Sequence, residues 1–181
     1  MAAESSFWKN ADQGTIQLID GTGTPVTLTL STDQGNLKAT AFAATLNAIV
    51  VMERRGKFGS LNRGVRAFPQ LTLTTFMGNF VGSTTSAPGT PMEFLTKKGA
   101  YSANVSTLGA SREYTVDVKL TVEGTNFGDT ADETCTWEDC VLVGAEMSEA
   151  AEGNAMAYTL QCLGSVVVVN NTNTVTYSQV A

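Results

Sequence analysis

The amino-acid sequence predicts a mainly β protein: a β-sandwich or rolled barrel with one short flanking α-helix and a long extended hairpin loop. Three observations lead there. Thr, Val and Gly are plentiful while strong helix formers are sparse. Apolar and polar residues alternate with period two in several segments. Only one stretch carries a full set of helix start and stop signals. The 181 residues suit a single domain over 1–181, long enough to bury roughly two-thirds of its unfolded surface. At 43% apolar and 15% charged residues, the composition is globular rather than disordered.

An N-terminal arm, 1–13, precedes the first strand, Gly14 to Asp20, which ends in the turn Asp20-Gly-Thr-Gly-Thr-Pro25. Val26 to Leu30 follows in strict period two, with Val26, Leu28 and Leu30 on one face. Asp33 to Gly35 reads as another turn, and Ala41 to Leu46 fits either a helical turn or a buried strand. The stretch 48–68 reads as a long hairpin leading into a strand at Gln70 to Phe76. Gly82 to Gly89 is a connector rich in Ser, Thr, Pro and Gly. The helix is expected over 90–98. Thr90 caps it, Pro91 takes the first position, Glu93 completes a capping box, Lys97 and Lys98 complement the dipole, and Gly99 stops it in a left-handed conformation.

Glu113 to Glu123 alternates, with Tyr114, Val116, Val118, Leu120 and Val122 assigned to a core. An acidic loop, Gly124 to Glu133, leads to a strand at Cys135 to Val143. After a turn at Glu149 to Gly153 come strands at Met156 to Cys162, Val166 to Val169 and Thr174 to Tyr177. This makes roughly ten strands and one helix, with no repeat of about 20 to 50 residues.

Charge is divided along the chain. Arg54, Arg55, Lys57, Arg63 and Arg66 crowd into the hairpin, and the last cation is Lys119. Beyond it lie only acids: Glu123, Asp129, Asp132, Glu133, Glu138, Asp139, Glu146, Glu149 and Glu152. Such a split is complementary to a second copy of the same chain. A hairpin so charged cannot be buried in its own core. A plainly solvated loop and a DNA-contacting loop are its other readings. The net charge of −6 and pI near 4.6 disfavour broad nucleic-acid affinity.

Nothing in the sequence supports catalysis. It has no histidine, which removes Ser-His-Asp and Cys-His sites and the commonest general base. The spacing of Cys135, Cys140 and Cys162 matches no zinc framework. Gly21-Thr-Gly23 is a turn rather than a phosphate cradle, and Asp129, Asp132 and Glu133 lack the spacing of a calcium loop. Glu138 and Asp139, adjacent on a strand, should point to opposite faces, a poor arrangement for a carboxylate pair. Trp137, Tyr158 and Phe76 are most simply core residues. Neither a metal nor a cofactor is expected. The odd cysteine count disfavours a disulfide framework, although Cys140 and Cys162 face each other if their segments form a hairpin turning near Ala151; buried thiols are the expected state. Met1 to Trp8 has no basic region followed by an apolar run, so no signal peptide is expected, and Val166 to Val169 is too short to cross a bilayer. A soluble product made in the cytoplasm follows.

The strand pair ending in Val26 to Leu30, the basic hairpin around Arg54 to Lys57, the segment Phe68 to Phe76, the capped helix at Thr90 to Lys98 and the late hairpin from Asp139 to Gly153 occur in an order that resembles a known family. It is that of the tail tube (major tail) proteins of long-tailed, non-contractile bacteriophages. The resemblance spans about Gly14 to Val169. It implies a β-sandwich flanked by a helix, forming hexameric rings stacked into a hollow tube, akin to contractile-tail tubes and the needle of type VI secretion. In that family strands from each subunit line the channel and a long hairpin contacts the adjacent ring.

Carried onto this chain, Arg54, Arg55, Lys57, Arg63 and Arg66 form the ring-stacking loop. Asp129, Asp132, Glu133, Glu138, Asp139, Glu149 and Glu152 form the acidic complement, and Glu113, Asp117 and Glu123 are candidates for a channel wall that repels phosphates. An outward solvated face is the other reading of those last three. The resemblance also implies a virion protein assembled in the bacterial cytoplasm. Its partners are other copies of itself and tape measure, terminator and distal tail proteins, and DNA passes through the lumen without specific binding. A monomeric carbohydrate-binding or adhesin-like module is the alternative, and a carboxylate-dependent hydrolase a third.

Overall fold

The computed structural model describes residues 14–31, 35–40, 49–54, 57–63, 68–76, 78, 80–81, 88–103, 114–122, 131–149, 154–170 and 173–178. Nine of its strands form one antiparallel sheet. They are β1 (Gly14–Asp20), β2 (Thr27–Ser31), β3 (Gly35–Thr40), β6 (Gln70–Phe76), β9 (Thr115–Val122), β10 (Glu133–Ser148), β11 (Ala155–Cys162), β12 (Val166–Asn170) and β13 (Asn173–Tyr177). β4 (Ile49–Arg54) and β5 (Lys57–Arg63) form a separate two-stranded ribbon, and β7 (Phe80–Val81) pairs with β8 (Pro88–Gly89). The helix, α1, covers Pro91–Thr96, and a 3-10 turn follows at Gly99–Tyr101.

The sheet runs β2-β1-β9-β10-β11-β6-β3, with a branch from β10 to β12 and on to β13. The branch arises because β10 is long enough to change partner. Thr134 to Trp137 pair with β12, whereas Cys140 to Ser148 pair with β11. Between them the register with β9 shifts: Trp137 faces Val118 and Cys140 faces Val116, which leaves Glu138 and Asp139 together opposite Asp117. This is a β-bulge, with Asp139 at φ 51. The β11–β12 link closes over it through Leu163 N–H to Asp139 O (3.1 Å), Gly164 N–H to Glu138 O (3.0 Å) and Glu138 N–H to Ser165 O (2.9 Å). A Cβ on Gly164 would lie 2.7 Å from Glu138 O, so the backbones approach this closely only with glycine there.

Both arms of the branched sheet feed one core. Ile16, Leu18, Leu28, Leu30, Val116, Val118, Trp137 and Val166 come from one arm, and Leu71, Leu73, Tyr158 and Leu160 from the other. Each buried aliphatic side chain contributes about 1.5–3 kcal/mol. Asp20 is buried at the β1–β2 turn because its carboxylate accepts from Thr22 N–H (3.0 Å), from the Thr22 hydroxyl and from Val26 N–H (3.1 Å).

The helix begins as its sequence predicts. Glu93 N–H donates to Thr90 Oγ1 and Thr90 N–H to Glu93 Oε2, each at 3.2 Å. It presents Phe94 and Leu95 to the core, and Phe94 meets Tyr101 edge to face at 5.0 Å. Its end differs from expectation. Lys97, not Gly99, is the left-handed C-cap (φ 53, ψ 48), and Gly99 (φ 56) is a second positive-φ residue beyond it. The helix therefore stops at Thr96, and Lys97 folds over the Phe94 ring instead of sitting in a last turn.

Two further differences concern strands. β3 occupies Gly35–Thr40, where no strand was expected, whereas β4 and β5 are the two arms of the expected hairpin. In β9, Val116 and Val118 are buried as expected, but Thr115 is buried too, and Tyr114, just before the strand, is 42% exposed. Alternation sets which face a residue takes, not how far the core extends along the strand. Residues 41–46 lie outside the described residues.

Candidate assembly surfaces

The basic hairpin is an antiparallel ribbon whose hydrogen bonds join only its own two strands among the described residues. Arg54 and Lys57 are Cα partners beside the turn, and Arg63 is paired with Ile49 at the other end. The ribbon thus carries cations at both ends. Arg55 and Arg66 lie outside the described residues.

The acidic residues are distributed along β10 rather than gathered at one end. Asp132 and Glu133 stand at its start, Glu138 and Asp139 at the central bulge, and Glu146 near its end with Glu149 just beyond. Asp129, Glu152, Glu113 and Glu123 lie outside the described residues. The bulge overturns the expectation for Glu138 and Asp139. On a regular strand they would point apart, but the inserted residue sets both against Asp117. Asp117 is half-buried, and its Oδ1 accepts the Asp139 N–H at 2.9 Å. This carboxylate is therefore built into the bulge, which the alternation alone did not indicate. Burial pushes the Asp117 carboxyl above its ordinary range; the Asp139 N–H opposes this and the Asp139 charge adds to it. Burial, then the charges of Asp117 and Asp139, likewise raise Glu138, while hydrogen bonds from Ser165 oppose the rise. No group of three or more Cys, Asp or Glu among the described residues has the arrangement to hold a metal ion.

The sheet edges carry a signal that charge patterning passed over. Among the described residues β2, β3 and β13 each pair with a single neighbour. β2 (TLTLS) and β13 (NTVTY) contain no charged residue and no proline, the usual guards of a free edge. Beyond the core, the far end of β10–β11–β6 exposes apolar side chains: Val143 is 60% exposed, Met147 66% and Phe76 52%. Met147 pairs with Met156, which pairs with the buried Thr75, so the core-facing side of the sheet continues past the core. The length of the apolar-rich run after Trp137 is the sequence signal for this overhang. Beside the helix, Leu95, Thr96, Lys98, Tyr114, Val141 and Leu142 line an open groove of about 270 Å³. Its one hydroxyl on the helix, that of Thr96, donates to Met92 O at 2.7 Å.

No protein-family model matches the chain, and no curated protein does. Solved structures share its fold, two of them as follows. One is a chain of the anti-feeding prophage baseplate, a 6-fold symmetrised cryo-EM structure, with a TM-score of 0.51 at 10% identity over 93% of this chain and 99% of that one. The other is a chain of the PVC sheath–tube complex, an extracellular contractile injection system in its extended state. It has a TM-score of 0.51 at 7% identity over 96% of this chain and 93% of that one. The chain is similar in fold, over nearly its whole length, to these chains of a prophage baseplate and of a contractile injection system.

Proposed function

We propose that this protein is a structural subunit of a phage-tail-like particle, assembling with copies of itself into stacked hexameric rings that form a hollow tube, without catalysis or a cofactor. The observation that carries this reading is a branched antiparallel sheet in which, among the described residues, the edge strands β2 and β13 carry no charge, on a fold similar to chains of two such particles along nearly its full length. Rings close through heterologous contacts, in which an edge of one copy meets a different edge of the next. Six-fold symmetry is in keeping with the baseplate structure. The basic ribbon then reaches a neighbouring ring and meets acids of β10. Exposed ion pairs contribute roughly 0–1 kcal/mol each, so they orient the stack while paired edges and apolar area hold it.

In this reading the tube belongs to a virion, is assembled in the host cytoplasm beside tape measure, terminator and distal tail proteins, and conducts DNA. The net charge of −6 keeps phosphates from adhering. The non-contractile assignment follows the sequence resemblance, whereas both similar structures belong to contractile-type assemblies or baseplates; a sheath protein co-purifying with the tube would overturn it.

Negative-stain microscopy of concentrated protein is the test. Hollow tubes of uniform width are expected, and Arg54→Glu with Arg55→Glu should abolish long tubes while leaving the β circular dichroism spectrum intact. Single particles at every concentration would refute self-assembly. Unchanged tube length in the double variant would refute the stacking role of the ribbon.

A further inference from the structure

We propose that Cys140 and Cys162 form a latent cross-strand disulfide, closed by a peroxide oxidant once the protein has left the reducing cytoplasm. The two residues are direct Cα partners on β10 and β11. Cys162 sends its N–H to Pro69 O at 2.9 Å, away from β10. The pair is thus of the non-hydrogen-bonded kind, in which opposed side chains approach most closely. Such partners have Cα atoms about 4.5 Å apart, within the ~4.4–6.8 Å that a disulfide spans. Both side chains belong to the buried core, Cys140 at 1% and Cys162 at 0% exposure. Cys135 is not so placed, because its Cα partners are Leu120 and Val168.

All three cysteines are thiols in the structure. Cys140 Sγ donates to Trp137 O at 3.4 Å and Cys162 Sγ to Glu138 O at 3.2 Å, both on the strand that carries the bulge. The neighbouring Cys162 sulfur, then burial and the Asp117 charge, push the Cys140 thiol well above its ordinary pKa, which keeps it protonated and slow to react in the cytoplasm. Oxidation then proceeds in two steps. Peroxide converts one thiolate to a sulfenic acid and releases hydroxide. The second thiolate attacks that sulfur, forms the S–S bond and expels a second hydroxide. With the two thiol protons, the sum is two thiols and one peroxide giving one disulfide and two waters. The bond staples β10 to β11 beside the bulge where β10 changes partner.

The occasion for oxidation, release from the cell, rests on the particle reading; the chemistry does not. The test uses the full-length chain, purified under reductant and held with hydrogen peroxide at about pH 8.5, where more thiolate is present. Thiols titrated in denaturant should fall from three to one per chain, with a peptide linking Cys140 to Cys162 and a melting temperature raised by about 6–12 °C. Cys135→Ser should still form the link, and Cys140→Ser should keep both remaining thiols. Three thiols persisting while an exposed control dithiol is consumed, or a link through Cys135, overturns the assignment. Tube formation is scored separately in micrographs. A linked chain that never polymerises removes the particle reading alone, and tubes that keep three thiols remove the disulfide alone.

Discussion

Replacing Lys97 with methionine should stabilise the fold at neutral pH, the reverse of most core substitutions. Lys97 is 4% exposed, its Nζ lies 4.6 Å from the Phe94 ring centroid, and it has no hydrogen-bond partner among the described residues. Burial lowers its pKa from 10.5 to about 8, against the attraction of Asp20. That gap corresponds to no more than about 3.5 kcal/mol, at about 1.4 kcal/mol per pH unit. Relaxation and water reaching the ammonium reduce the realised cost to about 1–2 kcal/mol. Methionine keeps the length and the contact with Phe94. Asp20 keeps its three internal donors, and both residues meet the left-handed C-cap with the same Cβ.

The sign follows from proton binding. Between about pH 8 and pH 10.5 the unfolded chain holds the Lys97 proton and the folded chain releases it, so the wild type gains stability as pH rises through that window. The advantage of Lys97→Met is therefore full below about pH 8 and vanishes above about 10.5. Urea denaturation of both proteins at pH 7 and near pH 10.5 measures it. Equal or lower stability of the variant at pH 7 would refute the argument. So would a gain that persists undiminished at high pH, because that gain would come from packing.

Two smaller tests address the bulge. Gly164→Ala places a Cβ 2.7 Å from Glu138 O and should cost about 1–3 kcal/mol in thermal or urea melts; an unchanged midpoint would mean that the link yields freely. Asp117→Asn keeps an acceptor for the Asp139 N–H but is neutral. The raised Asp117 pKa means that its stabilising contribution is present below the unfolded value and lost as pH rises through the folded one. The variant should therefore gain on the wild type at pH 7 and not in acid, and a gain independent of pH would contradict this.

Local signals in the sequence were sufficient where one short-range interaction decides the outcome. The capping box needs only Thr90 and Glu93, and the strands at Val26 to Leu30 and Met156 to Cys162 declare themselves by alternation. Even the facing of Cys140 and Cys162 could be read from a hairpin of the right length. What escaped depends on a third element. Lys97 is buried because Phe94, Tyr101 and the Asp20 turn surround the end of the helix. Glu138 and Asp139 meet Asp117 because the β11–β12 link binds across their bulge. β3 is a strand because β6 offers it a partner, although Gly35-Asn-Leu-Lys has little intrinsic β character. The described acids from Asp132 to Glu149 fall along and just beside a single long strand, which spacing in the sequence does not reveal.

If the proposed self-assembly holds, the placement of charge bears on how the chain avoids promiscuous aggregation. A soluble monomer usually protects its free strands with lysine, proline or a bulge. Here, among the described residues, the edge strands β2 and β13 carry no lysine or proline, and five cations fall within 54–66, on and around a ribbon of its own. The bulge belongs to an internal strand and guards no edge. Bare edges attract any extended backbone, so they cannot by themselves choose a partner or a direction. Repulsion between like-charged ribbons costs misaligned encounters, and attraction towards the acids of β10 favours aligned ones. Ionic strength should therefore act on the order of an assembly more than on its cohesion. Added salt that screens charges beyond about 8 Å would give irregular aggregates from the same edges, while a loss of all association in salt would mean that the edges contribute nothing.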